Sequence, residues 1–435
     1  MTLDTHERSR LLLDRAARVI PGGINTAKRK IDPPLCVARA AGGWFDDVDG
    51  TRYLDYHCAY SAILLGHGEP SVNRAVAHAL HGGTLYGVGV TGEEVRLAEK
   101  IVAHVPSVEQ VLLCNTGTEA TYHAIRLARG VTERQKIVKF QGCYDGYHDY
   151  VLRNVLSRPE LVGRRDPGSK GMLEAAIDNT LVCRFNDLDD VRATLACHGG
   201  EIAAVIVEPV AHNAPTILPA PGFLAGLREA CDEHGCVLIF DEVITGFRHA
   251  LGGYQAIAGV RPDLTTMGKA MANGYAVAAL GGRRELMQRF TTTVHGDVLF
   301  GGTYNANAVG VAAALATLEI LENPDVYAHL FALGARMRDG LAAMARDAGV
   351  PTCVSGYGSV FVLLFMEGPL RSYEDCLRND VELFLEYRRQ LRRRGVFEMP
   401  ENVGRSHVMW RHTEADVDRT LELAAEALDA ALRRP

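Results

Sequence analysis

The sequence predicts an α/β protein, with a large domain built on a mostly parallel sheet and a smaller α+β domain. Two observations predict this fold class. Short, continuously apolar runs alternate with longer stretches of helical spacing through the middle of the chain, and both ends switch to amphipathic helices mixed with a few strands. Continuous apolar runs are typical of parallel strands that are buried on both faces. A chain of 435 residues is also too long for one simple core.

The apolar runs define the strands of the predicted large domain. They are VLLC at 111–114, KIVKF at 136–140, IAAVIVE at 202–208, CVLIFDE at 236–242 and AVAALGG at 276–282. Helical spacing fills the gaps between them, for example over 119–129 and 223–234. We expect the large domain to span residues 61–320.

The two ends of the chain carry the elements of the smaller domain. These elements are a helix at 3–20, short strands at 35–56, a strand at 358–367 and a helix at 414–433. We expect an N-terminal segment, residues 1–60, to join a C-terminal segment, residues 321–435, in this smaller domain.

Composition and charge exclude several classes of function. The net charge of −7 does not suggest a nucleic-acid partner, which would favour a basic protein. No run approaches the roughly 18 apolar residues that span a bilayer, and the N-terminus lacks a signal-peptide core, so a cytoplasmic location is the default. The 10 cysteines include no CxxC pair, and no metal is expected.

A glycine-threonine turn follows the first strand of the large domain. In parallel sheets, ligands bind beyond the carboxyl ends of the strands. The segment Asn115-Thr116-Gly117-Thr118-Glu119 lies there and opens a helix, whose free N–H groups suit a phosphate. An ordinary threonine helix cap is the alternative.

Asp241 stands at the carboxyl end of the run CVLIF. A carboxylate at a buried strand end is costly unless it has a partner. A protonated pyridinium nitrogen would be such a partner, and pyridoxal 5′-phosphate (PLP) chemistry needs that acid. A structural salt bridge is the alternative.

Lys269 is one of only seven lysines, and it lies between Gly268 and a run of small residues. A partly desolvated lysine has a lowered pKa and can form a Schiff base, whereas a solvated surface lysine is the alternative. A phosphate turn, a pyridinium acid and an imine lysine occur in that order along the chain. Together they predict a PLP enzyme with Lys269 carrying the cofactor as an imine.

Two other motifs carry no function in this interpretation. Residues 87–92 spell GxGxxG, but no convincing apolar strand precedes them, so we interpret them as a loop. His78 and His81 are three residues apart on a predicted helix, without a third ligand. Solvated histidines explain them better than a metal site.

The motifs resemble those of the class III (subgroup II) aminotransferases, and most closely the glutamate-1-semialdehyde 2,1-aminomutase branch. The resemblance covers nearly the whole chain. The matching stretches are PGGIN (21–25), LGHG (65–68), NTGTEATYHAIRLARG (115–130), KIVKFQGCYDGYHD (136–149), VIVEPV (205–210), IFDEVITGFR (239–248), PDLTTMGKA (262–270), LGGRREL (280–286) and HTEADVDRTLE (412–422). The resemblance implies the PLP-transferase fold type I, as in aspartate aminotransferase.

The resemblance also implies a role for each matching residue. Catalysis would depend on Lys269, Asp241 and Tyr144, with Tyr144 stacked on the pyridine ring. The other cofactor contacts implied are Gly117 and Thr118 at the phosphate, Glu208 and Asn213 near O3′, Val243 on the other ring face, and Thr303 at the phosphate of a neighbouring subunit. The last contact implies a homodimer with shared active sites.

The substrate positions depart from the aminomutase pattern. Arg29 falls where that branch holds the substrate carboxylate, but Tyr60 replaces a tryptophan, Gly404 replaces a glutamate, and Asp145 replaces a histidine. The expected function is therefore an aminotransferase that moves an amino group between an amino acid or carboxylate-bearing amine and a keto or aldehyde acceptor. An intramolecular aminomutase, a PLP racemase or epimerase, and a cofactor-binding protein without catalysis stay open.

Overall fold

Strands and helices alternate along most of the chain. The computed structural model describes residues 6–433. The strands are β1 (Val37–Ala41), β2 (Trp44–Asp47), β3 (Arg52–Asp55), β4 (Gln110–Cys114), β5 (Lys136–Phe140), β6 (Thr180–Cys183), β7 (Ile202–Val207), β8 (Val237–Glu242), β9 (Leu264–Met267), β10 (Ala278–Gly282), β11 (Cys353–Ser355), β12 (Val360–Leu364), β13 (Val396–Phe397) and β14 (Ser406–His407). The helices are α1 (Glu7–Ala17), α2 (Cys58–Ser61), α3 (Pro70–Gly82), α4 (Gly92–His104), α5 (Gly117–Thr132), α6 (Glu174–Asp178), α7 (Leu188–His198), α8 (Phe223–His234), α9 (Gly253–Ala258), α10 (Arg284–Met287), α11 (Ala308–Leu321), α12 (Pro324–Asp347), α13 (Tyr373–Cys376), α14 (Val381–Arg393) and α15 (Glu414–Leu432).

A seven-stranded sheet with the order β4-β10-β9-β8-β7-β5-β6 forms the centre of the fold. Strand β10 runs antiparallel to β4 and β9. The other neighbouring strands are parallel. Every residue of β7 and β8 is buried, as continuous apolar runs require. The predicted α/β class with a mostly parallel sheet is therefore confirmed.

Helix α5 packs across this sheet and begins where the polar site lies. Its contacts run to β7, β8, β9 and β10. The buried face carries small alanines beside larger aliphatic residues: Ala120, Ala124, Ile125, Leu127 and Ala128. Small side chains let the helix axis approach the sheet closely, which fixes the position of its first turn relative to the strand ends.

Two smaller sheets form from the ends of the chain. One has the order β1-β2-β3-β13 and the other β11-β12-β14. Val396 of β13 pairs in parallel with Leu54 of β3, so N-terminal and C-terminal segments share a sheet. The domain boundaries at residues 60 and 320 stay a prediction. None of the helices formed by residues 6–433 is both long enough and apolar enough to cross a bilayer.

Candidate active site

A cavity of about 730 Å³ opens beyond the carboxyl ends of the central strands. Most residues that the sequence predicted for the site line it together. They are Tyr60, Gly117, Thr118, Tyr144, Glu208, Asn213, Asp241, Val243 and Lys269. This is the edge at which an α/β sheet binds its ligands.

Lys269 follows β9 and begins the short 3-10 turn Lys269–Ala272. Asn273 closes this turn, and its side-chain oxygen accepts hydrogen bonds from the backbone N–H groups of Leu64 and Leu65, both at 2.9 Å. Within residues 6–433, no hydrogen bond or ion pair holds Lys269 Nζ. Burial, followed by the nearby charge of Arg405, lowers the pKa of Lys269 to about 8. Near neutral pH this amine therefore has a larger neutral, nucleophilic fraction than an ordinary lysine.

Asp241 lies one residue before the carboxyl end of β8 and presents one carboxylate oxygen to the cavity. Its Oδ1 accepts hydrogen bonds from Val243 N and Thr266 Oγ1, both at 3.0 Å. In the described part of the chain, no hydrogen bond reaches Oδ2. Burial, followed by the charge of Glu208, raises the pKa of Asp241 to about 7. A cationic partner in the cavity would offset the electrostatic cost of burying Asp241 and keep its carboxylate ionised.

Glu242, the next residue, has a structural role instead. Its carboxylate accepts hydrogen bonds from Thr245 Oγ1 at 2.8 Å, Tyr254 N at 2.5 Å, and Gln255 N and Nε2 at 3.1 and 3.0 Å. Gly253, with φ of 70°, lies so close that a Cβ there would be 2.4 Å from Glu242 Oε2. Of the two adjacent acids, only Asp241 therefore has an oxygen to offer a ligand.

Glu208 organises the wall beside Lys269. Its Oε1 accepts hydrogen bonds from Tyr144 N at 2.8 Å and from Asn213 Nδ2 at 3.2 Å. Its Oε2 accepts a hydrogen bond from His212 N at 3.2 Å. Burial raises the pKa of Glu208. One carboxylate thus fixes the backbone at Tyr144 and the amide of Asn213.

The first turn of α5 forms an anion cradle. Thr116 caps the helix by accepting a hydrogen bond from Glu119 N at 3.2 Å, and the first N–H groups of a helix have no intrahelical partner. A Cβ on Gly117 would lie 2.8 Å from Val243 Cγ1, so glycine is needed for this close approach. The cavity thus offers an unpaired amine, an acid and an anion cradle. These residues fit PLP, whose aldehyde, ring nitrogen and phosphate need those three groups.

Comparison with known proteins decides the family. Residues 26–428 match the family profile described as Aminotransferase class-III. The chain belongs to the class III aminotransferases. It is 41% identical over 426 residues to a protein named glutamate-1-semialdehyde 2,1-aminomutase from Desulfatibacillum aliphaticivorans, which covers 97% of this chain and 99% of that protein.

Two solved structures resemble this class III aminotransferase over almost its full length. An omega-transaminase from Sphaerobacter thermophilus superposes with a TM-score of 0.93 at 34% identity, covering 99% of each chain. A glutamate-1-semialdehyde aminomutase from Pseudomonas aeruginosa, in complex with PMP, superposes with a TM-score of 0.88 at 27% identity, covering 98% of this chain and 94% of that one. The protein is therefore a PLP-dependent enzyme of fold type I, a transferase or an isomerase.

Arg405 is a cavity residue that the sequence interpretation missed. Its NH1 donates hydrogen bonds to His212 O and Asn213 Oδ1, and its NH2 donates one to Ser61 Oγ, all at 3.2 Å. These acceptors are neutral, and no carboxylate within residues 6–433 forms a salt bridge with Arg405. The residue follows Gly404 in a loop between β13 and β14, where no local pattern indicates that the chain folds back onto the strand ends.

Arg29 and Thr303 lie outside the cavity in this chain. Arg29 is exposed and lines a separate cavity of about 240 Å³; the adjacent residue Lys28 lines the site instead. Thr303 is exposed and lines a cavity of about 660 Å³ with Tyr86. The roles expected of Arg29 at a substrate carboxylate and of Thr303 at a partner's phosphate stay predictions.

Proposed function

We propose that this enzyme is an aminotransferase that moves an amino group from an amino acid or carboxylate-bearing amine to a keto or aldehyde acceptor. The observation that carries the proposal is Arg405, a cation with only neutral hydrogen-bond partners, in the same cavity as Lys269. Arg405 is half-buried, and Glu208 and Glu401 act on its charge only from farther away than a salt bridge. A partly desolvated charge without a directly paired counter-ion is costly. A substrate carboxylate would supply the counter-ion.

Each cavity residue then has a task. Bound PLP supplies an electron sink for the C–H bond that is broken in the substrate. Asp241 Oδ2 would hold the ring nitrogen in its protonated form, and Gly117 and Thr118 would hold the phosphate through backbone N–H groups. Lys269 Nζ would take a proton from the substrate carbon that bears the amino group and deliver it to C4′ of the cofactor, a general acid–base role worth roughly 10²–10⁴-fold in rate. Tyr144 would cover one face of the ring and Val243 the other.

Arg405 is the proposed carboxylate receptor. A guanidinium matches a carboxylate in a bidentate geometry that a lysine cannot reproduce. The Asn213 amide supports this role of Arg405, because its Oδ1 accepts a hydrogen bond from Arg405 while its Nδ2 donates one to Glu208. This neutral bridge separates the cation from the buried carboxylate and leaves the cation available to substrate.

An intramolecular aminomutase is the second candidate. The names of relatives at 41% identity favour it, whereas the departures at Tyr60, Gly404 and Asp145 favour intermolecular transfer with another substrate. A racemase would use the same cofactor residues.

Acceptor dependence tests the proposal. The PLP-loaded enzyme should consume amino acids from a donor panel only when a keto acid such as pyruvate or 2-oxoglutarate is added, with one amino group transferred per donor consumed. Arg405→Lys should raise KM for the carboxylate-bearing donor. Arg411→Lys is the matched control, because Arg411 pairs with Glu69 outside the cavity lining. Conversion of glutamate 1-semialdehyde without any acceptor, and no acceptor-dependent turnover, would contradict the proposal in favour of the aminomutase.

We also propose that the enzyme acts as a homodimer. Large apolar side chains are exposed around Thr303: Val88, Leu299 and Tyr304 are 84%, 63% and 66% exposed. Exposed apolar patches of this kind mark protein–protein contacts. A second copy covering them would supply the Thr303 contact that the resemblance implies.

A further inference from the structure

Ser61 Oγ lies between Arg405 and a buried histidine. It is 3.2 Å from Arg405 NH2 and 2.7 Å from His407 Nε2. Ser61 and His407 are 0% and 1% exposed, and neither lines the cavity. They therefore lie behind the guanidinium, on the side away from substrate.

The direction of these hydrogen bonds follows from what each group can do. Arginine can only donate, so Ser61 Oγ accepts from Arg405 NH2. Ser61 Oγ can then donate its own hydrogen to His407 Nε2, 2.7 Å away. Burial and the neighbouring arginines lower the pKa of His407, which favours the neutral ring. In the tautomer that carries its hydrogen on Nδ1, Nε2 has the free lone pair that accepts the serine hydrogen. The chain of bonds runs from Arg405 through Ser61 to His407.

Both members of this pair are held rigidly. Arg248 NH2 donates to Ser61 O at 2.7 Å and to Ile63 O at 3.0 Å, which fixes the backbone that carries the serine. His407 N donates to Tyr56 O at 2.7 Å, and His407 O accepts from Cys58 Sγ at 3.4 Å. A rigid support restricts the rotation of whatever it binds.

We propose that Ser61 and His407 are positioning residues that hold Arg405 in the orientation needed to bind a substrate carboxylate. The inference rests on the proposed function, since it takes Arg405 as the carboxylate receptor. Ser61 fixes NH2 from behind, while His212 O and Asn213 Oδ1 fix NH1. One N–H of NH2 and the Nε N–H are left without a hydrogen bond among residues 6–433. Without Ser61 and His407, the guanidinium of Arg405 is free to rotate out of this orientation. Its bidentate contact with the substrate carboxylate is then lost.

Binding of an unreactive carboxylate measures this orientation without turnover. The probe is glutarate, titrated calorimetrically into the PLP-loaded enzyme, with uncharged glutaramide as the neutral comparison. Ser61→Ala and His407→Met should each weaken glutarate binding roughly tenfold, as expected for losing a hydrogen bond to a charged group. His407→Gln should restore most of the affinity, because its Oε1 can accept the serine hydrogen. Glutaramide binding should not change.

Ser157→Ala is the matched control. Ser157 is a buried serine whose Oγ accepts a hydrogen bond from Gln141 Nε2 at 3.0 Å, outside the cavity lining and the Arg405 support. It should leave glutarate affinity as in the wild type. In steady-state assays, Ser61→Ala should raise KM for a carboxylate-bearing donor with kcat nearly unchanged, whereas a general loss of structure would lower kcat for every donor.

The possible outcomes separate this inference from the proposed function. Wild-type affinity in Ser61→Ala and His407→Met, together with lost affinity in Arg405→Lys, would overturn the positioning role alone. Wild-type affinity in Arg405→Lys would instead overturn Arg405 as the carboxylate receptor. If Ser61→Ala does not fold, the comparison of His407→Met with His407→Gln decides: equal affinities overturn the inference, and rescue by glutamine supports it.

Discussion

At the scale of single residues, burial prepares the reactive groups for opposite tasks. Desolvation disfavours the charged form of any side chain, so it lowers the pKa of Lys269 to about 8 and raises that of Asp241 to about 7. The lysine gains nucleophilic character, and the acid gains affinity for a cation. Burial in the same cavity is the largest cause of both pKa shifts. The shift of Lys269 therefore requires no hydrogen-bond partner for its Nζ.

The pH dependence of cofactor capture follows from the lysine. Only the neutral amine attacks an aldehyde, and a lowered pKa means that this form predominates above about pH 8. The rate at which cofactor-free enzyme takes up PLP should rise with pH with a midpoint near pH 8, measured by the absorbance of the bound cofactor. A midpoint near the ordinary lysine pKa of about 10.4 would contradict the account. Arg405→Gln should move the midpoint upward, because Arg405 is the largest charge that lowers this pKa.

The residues predicted from the sequence and the one that was missed differ in how they are encoded. Gly117, Asp241 and Lys269 lie in recognisable motifs at or just beyond strand ends, so local patterns predicted them and the cavity brings them together. Arg405 and Ser61 are joined by a hydrogen bond although they are 344 positions apart in the sequence. Their contact depends on how separate parts of the chain pack, and no local pattern encodes that.

At the scale of elements, α2 is the strained feature of the site. Cys58, Ala59, Tyr60 and Ser61 have φ values of 53°, 49°, 56° and 75°, a left-handed turn that costs roughly 1–2 kcal/mol per non-glycine residue. Asp55 Oδ1 offsets part of this cost by accepting hydrogen bonds from His57 N at 2.8 Å and Cys58 N at 3.2 Å. The turn places Tyr60 on the cavity wall, where its hydroxyl donates to Lys28 O.

Relief of this strain gives a stability prediction. Ala59 is exposed, and glycine adopts its left-handed conformation without the Cβ penalty. Ala59→Gly should raise the free energy of unfolding by about 1 kcal/mol, measured by chemical denaturation of the PLP-loaded enzyme. Ala62→Gly is the control, because Ala62 has a right-handed φ of −76° and should be destabilised. A lower stability for Ala59→Gly would show that the turn is not strained in solution.

The sequence predicted the longer elements well and the shorter ones poorly. The bounds predicted for β5 and α8 agree with the structure, because KIVKF is one apolar run and 223–234 has clear helical spacing. Strands β6 and β9 have only four residues each, and the two central residues of β9, Thr265 and Thr266, are polar. Their threonines are buried through hydrogen bonds, including the one from Thr266 to Asp241, which hydropathy does not reveal.

At the scale of the whole molecule, the active site draws on both ends of the chain. Parallel pairing of β3 with β13 brings the turn that carries Tyr60 close to the loop that carries Arg405. The residues proposed to bind the cofactor lie on or beside the central sheet, whereas Tyr60 and Arg405, proposed for the substrate side, come from the two ends of the chain. This division explains why the motifs predicted PLP chemistry but left the substrate open.

The other lysines show why one position should capture the cofactor. Lys28, Lys100 and Lys136 pair with Glu401, Glu322 and Glu201 at 3.1, 2.6 and 2.8 Å. Lys139 is fully buried, with Nζ donating to the carbonyls of Cys143 and Arg153 at 2.8 and 2.9 Å. Lys30 and Lys170 are exposed, away from the cavity lining. Only Lys269 among them combines burial, a free Nζ and a place beside Asp241.

Borohydride reduction followed by peptide mass mapping tests this claim most directly. Reduction of the PLP-loaded protein should fix one phosphopyridoxyl group per chain, on the peptide that contains Lys269, and Lys269→Ala should carry no label there or elsewhere. A stoichiometric label on any other lysine, or no label on the folded wild-type protein, would contradict the account.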